Sequence, residues 1–324
     1  MPTPARRLLV ALALALLAGG AVRVAAAQDG RLLEATAVTL HPDSVAAMEA
    51  RAPGARAILD AVEIRSITYL SDGLRVKGYL VAPKAGGKLP CVIYNRGGNR
   101  EFSALTNRSA ALQLGRIASW GYVVVASQYR GNAGGEGAEE FGGADVNDVL
   151  NLVPLLEAHP RADASRIGMY GWSRGGMMTY LALARTDRIA AAVVGAGMAD
   201  AFDNVARRPD MESGVFAELV PGFAKDREAA LASRSAVRWA DRLAKQTPIL
   251  LLHGSADWRV HPGEAMRLAN RLLELKRPFR LLMLEGGDHG LSEHRAEVNR
   301  AAQEWLDRYV RDRKPWPNLE PHGP

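Results

Sequence analysis

The chain has 324 residues, 48% hydrophobic and 23% charged, with a formal net charge of +6 and one cysteine. That length and balance fit a globular protein with a sizeable core, and a single thiol excludes an internal disulfide scaffold. Lysines and arginines nowhere cluster with interleaved aromatics, so nothing points to a nucleic-acid partner.

Arg6 and Arg7 precede an apolar run, and small residues end in Ala25-Ala26-Ala27 before Gln28. A basic start, a short apolar stretch and an A-x-A-like site predict a secretory signal peptide over 1–27. The mature protein is then secreted or periplasmic, with no stable membrane association. Gly19, Gly20 and Arg23 interrupt the run before the roughly 20 apolar residues that a span requires; an uncleaved N-terminal anchor is the alternative.

A helical segment is expected over 28–61, from the alanine-rich periodicity of 43–59. Residues 62–69 and 74–81 are β-rich and flank Ser71-Asp72-Gly73, a hairpin signal. An alternation follows: strands at 89–94, 122–127, 166–170, 189–194, 249–252 and 279–284, and helices at 109–120, 144–158, 174–185, 263–275 and 294–311. Cys91 falls within the first of these strands and reads as a small buried hydrophobe. Short apolar strands alternating with helices predict a mostly parallel sheet covered on both faces, led by an antiparallel hairpin. Residues 198–245 break the alternation and are expected to form a helical lid. Residues 313–324 are expected to form an irregular tail. The catalytic unit is thus expected over 62–312.

Gly171-Trp172-Ser173-Arg174-Gly175-Gly176 follows a predicted strand and opens a predicted helix. G-x-S-x-G in that setting is a nucleophile elbow, whose tight turn lifts the serine above the sheet of an α/β-hydrolase fold. Such a serine needs a base and an orienting acid, in the chain order Ser, Asp or Glu, His. Asp257 follows the strand at 249–252, and His289 follows the strand at 279–284 in a glycine-flanked loop. The remaining histidines have local explanations: His253 sits close to its strand, and His261 and His294 lie in or beside helices. Asp288 adjoins His289 too closely to orient it. His289, Glu293 and His294 are spaced one residue too long for an H-x-x-E-H metal motif, and no metal is expected. The oxyanion donors expected are the backbone N–H of Arg174 and the loop Asn95-Arg96-Gly97-Gly98-Asn99, with Gly97 and Arg96 as candidates.

These residues resemble the catalytic domain of the prolyl oligopeptidase (S9) family of serine peptidases. The likeness rests on Gly171–Gly176, on His253-Gly254-Ser255-Ala256-Asp257 with Val260, on Asp288-His289-Gly290, and on Tyr129-Arg130-Gly131-Asn132. It covers about 62–312 and implies a Ser173–Asp257–His289 triad, acyl-enzyme chemistry and no cofactor. Trp172, Tyr129 and Trp258 are the candidate substrate contacts. Two departures stand out. Residues 28–61 are too few for the β-propeller that peptide-cleaving members carry, and Arg96 stands where the family often has Tyr or His. The expected substrate is a short peptide or aminoacyl amide. A carboxylic ester on the same triad is the alternative, and a non-catalytic binding role is a third reading. Phe202, Met211, Phe216 and Trp239 could line an acyl pocket or simply pack the lid.

Overall fold

A computed structural model describes residues 28–323; the expected signal peptide lies outside the described residues. Nine strands form one sheet: β1 (Leu32–Ala37), β2 (Val62–Ser71), β3 (Leu74–Pro83), β4 (Leu89–Asn95), β5 (Val123–Ser127), β6 (Ala162–Trp172), β7 (Ile189–Gly195), β8 (Ile249–Gly254) and β9 (Phe279–Leu284). Their order is β1-β2-β3-β5-β4-β6-β7-β8-β9. The pairs from β1 to β5 are antiparallel, and all the others are parallel.

The helices are α1 (Pro42–Arg51), α2 (Ala55–Ala61), α3 (Asn107–Ser119), α4 (Asp145–Leu150), α5 (Leu152–Ala158), α6 (Arg174–Leu183), α7 (Ala201–Arg207), α8 (Pro209–Met211), α9 (Ala217–Leu219), α10 (Arg227–Ala232), α11 (Pro262–Glu274) and α12 (Arg295–Leu306). Along β4, Cys91 and Ile93 enter one core while Val92 and Tyr94 enter the other; Val123 and Val125 of β5 likewise oppose Val124 and Ala126. Period-two alternation with both faces apolar is what a sheet covered on two sides requires. α1, α2, α3 and α12 cover one face, and α4, α5, α6 and α11 the other.

Three expectations change. The segment 28–61 is not wholly helical: β1 pairs with β2, and the helix is cut at Pro53-Gly54, where Gly54 takes φ 89°. The single helix expected over 144–158 divides at Asn151, because Pro154 lacks the N–H that would bond to the carbonyl of Leu150. The closing α-helix ends at Leu306 and widens into a π-turn over Asp307–Arg311.

The chain leaves β4 through α3 to β5 on one side, then returns through α4 and α5 to β6 on the other. Adjacent strands β4 and β6 therefore flank a point where the connection direction reverses. Ligands of open α/β sheets bind in the crevice at the carboxyl ends of strands at such a point. Gly97 follows β4, and Ser173 follows β6.

Candidate active site

Ser173 sits between β6 and α6 with φ 58° and ψ −122°. A non-glycine residue held there is strained, and its surroundings must impose the conformation. They do so by contact and by hydrogen bonding. A Cβ at Gly175 would lie 1.9 Å from the carbonyl oxygen of Asn95, and one at Gly171 2.1 Å from that of Gly175. The amide of Ser173 donates to Gly195 O at 2.9 Å, and its carbonyl accepts from the amide of Gly176 at 2.9 Å.

His289 Nδ1 lies 2.8 Å from Asp257 Oδ2. Asp257 is buried, and its Oδ1 accepts from the amides of Arg259 (2.8 Å) and Val260 (3.0 Å). Burial alone would raise its carboxyl pKa. Hydrogen bonds from His253 and His289, the charge of His289 and the Val260 amide reverse that and hold it well below the usual carboxylate range. An ionised Asp257 accepts from Nδ1–H and leaves Nε2 as the basic end of the ring. The indole of Trp172 donates to His289 O at 3.0 Å and ties the histidine loop to the elbow. Ser173 and His289 line one cavity of about 910 Å³. No hydrogen bond joins Ser173 Oγ to His289 among the described residues; without substrate, catalytic hydrogen bonds are often long.

The oxyanion candidates separate. A Cβ on Gly97 would stand 3.3 Å from Ser173 Cβ, so this backbone lies against the serine. Neither the Gly97 amide nor the Arg174 amide has an acceptor among the described residues. The side chain of Arg96 does not serve. It is buried, and its guanidinium donates to the carbonyls of Gln128, Gly97, Arg100 and Phe102, stapling its own loop.

Of the substrate candidates, only Trp172 lines the cavity. Tyr129 is wholly buried and donates its hydroxyl to Arg96 O at 2.9 Å, beneath the guanidinium groups of Arg96 and Arg174. Trp258 is 67% exposed and lies against Arg208 and Arg259. In the insertion, Met211 lines the cavity. Phe216 packs between Phe141 and Phe223, Trp239 donates to Ala232 O, and Phe202 lies under Arg238. His253 bonds to Val260 O and His261 caps α11, as their sequence positions suggested.

Sequence reasoning missed the side chain of Arg174. It is buried, pairs with Glu139 and with Asp145 (2.5 Å), and lies over the rings of Tyr129 and Phe141. The elbow motif specifies the backbone at that position and carries no signal for its side chain.

Sheet, crossovers and elbow define an α/β-hydrolase. The profile of the prolyl oligopeptidase family matches residues 108–313. The uncharacterized peptidase YtmA of Bacillus subtilis is 34% identical over 67% of this chain and 82% of its own length. The chain belongs to the prolyl oligopeptidase family and is a serine-type peptidase hydrolase. Dipeptidyl-peptidase 5 of Porphyromonas gingivalis is 26% identical over 74% of this chain, which spans only 37% of it. A Mycobacterium tuberculosis puromycin-hydrolyzing peptidase superposes with a TM-score of 0.64 at 28% identity, covering 76% of this chain and 39% of that one. The acetyl xylan esterase of Paenibacillus sp. R4 shares the fold (TM-score 0.63, 19% identity) over 86% of this chain and 88% of its own.

Proposed function

We propose that this peptidase cleaves short peptides or aminoacyl amides through an acyl-enzyme on Ser173. His289 takes the serine proton and delivers it to the leaving amine; Asp257 fixes the imidazole and stabilises its charged form; the amides of Arg174 and Gly97 receive the oxyanion. The observation that carries this reading is the 2.8 Å contact between His289 and buried Asp257, beside a serine held at φ 58°. Hydrolysis proceeds in two balanced steps: the substrate acyl carbon bonds to Oγ as the amine leaves with the proton, then water restores the serine and frees the acid.

A second reading is ester hydrolysis on the same three residues, supported by the fold likeness to an acetyl xylan esterase. The test is kcat/KM on a matched aminoacyl amide and ester, with Ser173→Ala as background. Efficient amide cleavage is expected, falling by roughly four to six orders of magnitude in the variant. Ester turnover with negligible amide turnover across several side chains would overturn the peptidase reading. Wild-type activity in Ser173→Ala would overturn the nucleophile.

A further inference from the structure

The cavity that Ser173 and His289 line is also lined by groups that the triad does not use. Gly290 and Leu291, next to His289 in the chain, line it, as do Tyr94, Tyr170, Ile117 and Val298; the two tyrosines stack at 5.8 Å. Arg116 of α3 and Arg295 of α12 line the same cavity.

These two guanidinium groups stand apart from the other arginines around the site. Arg174 is neutralised by Glu139 and Asp145, Arg96 is saturated by carbonyls, and Arg208 pairs with Asp210. Arg259 rests against the rings of Phe102 and Trp258. Neither Arg116 nor Arg295 has an ion-pair or hydrogen-bond partner for its side chain among the described residues. Burial and then the charge of Arg295 press the Arg116 guanidinium below its ordinary value. Arg116 is half-buried and Arg295 exposed, and an anion held near both offsets the repulsion that Arg116 feels. A planar carboxylate matches the fork of a guanidinium.

Which end of a substrate reaches these arginines follows from the chemistry. His289 hands its proton to the departing amine, so the leaving fragment lies on the His289 side of the serine. Gly290 and Leu291, which continue the chain from His289, line the same cavity as the two arginines. We propose that Arg116 and Arg295 form a subsite for the free C-terminal carboxylate of the leaving fragment, so that the enzyme prefers short peptides cut near their carboxyl end. This rests on the Ser173 peptidase reading.

The test uses the full chain and paired peptides that differ only in ending as a free carboxylate or a carboxamide, with leaving fragments of one, two and three residues. At one length or more, kcat/KM should favour the carboxylate by roughly tenfold or more, the size of a charge-assisted contact. Arg116→Met and Arg295→Met should each shrink that ratio, and the double variant should bring it close to one. The change should appear in KM for the carboxylate peptides, with carboxamide turnover unchanged. A wild-type ratio near one at every length would overturn the subsite, as would variants that slow both peptides equally. Titrating Ser173→Ala with the free leaving peptide and its amide measures the subsite without turnover. Tighter binding of the carboxylate there, lost in the double variant, upholds the subsite even if the peptidase reading fails; equal binding of both overturns it.

Discussion

Arg174 shows how much structure one position beside the nucleophile holds. Its amide has no acceptor among the described residues, while its side chain runs inward to Glu139, Asp145 and the carbonyl of Gly98. Arg174→Met keeps the amide and strands two buried carboxylates. Breaking a buried pair from one side costs about 3–5 kcal/mol, so the urea midpoint should fall accordingly at an unchanged slope. An unmoved midpoint would mean that the cluster adds no stability. At this scale the sequence is legible where sterics leave one residue type. Gly171 and Gly175 announce the elbow because a Cβ would strike backbone. Arg96 and Tyr129 mislead for the complementary reason. A motif position reveals that a residue matters without revealing where its side chain points, and both point into the protein, where they bond to each other's loops.

Elements are held to one another by contacts that chain order hides. Glu264, in the first turn of α11, reaches the start of the insertion: its Oε2 accepts from the amides of Ala199 and Asp200, each at 2.8 Å. Its other oxygen has no partner among the described residues. Burial pushes this carboxyl up to about 8, against the pull of the two amides. An unfolded glutamate titrates near ~4.3, and below that pH both states are protonated, so the full contribution is present. As pH rises toward 8 the unfolded chain ionises first, and stability is lost. Glu264→Gln retains an acceptor for both amides and removes the charge. Its Tm should vary less than wild type between about pH 4.5 and 8 and should equal or exceed it at pH 8. A wild-type slope in the variant would assign the titration elsewhere. The position offered no warning, since a glutamate in a helix's first turn reads as a favourable exposed charge. β1 was equally hidden. Its residues are mostly exposed, and an edge strand without a buried face lacks the alternation by which strands are recognised.

For the whole molecule, the alternation of strands and helices was readable because each central strand is apolar on both sides. The lateral order was not. Nothing in 123–127 states that β5 inserts between β3 and β4, since that pairing depends on crossover handedness and on distant partners. Cys91 offers a measurement at this scale. It lies in β4, flanked by β5 and β6, is wholly buried, and is the one cysteine of the chain. Burial pushes its thiol up to about 12, so at pH 8 the folded protein presents almost no thiolate to a reagent. Labelling must then wait for an opening that separates the centre of the sheet. If the sheet and its two cores open as one unit, the labelling rate should fall with added stability and rise with urea, with the slope of global unfolding. Glu264→Gln should slow it at pH 8 in proportion to any stability it gains there, and Arg174→Met should speed it. Fast labelling with little urea dependence would show instead that the centre of the sheet opens by itself, and the continuity of the two cores through β4 would then not govern stability.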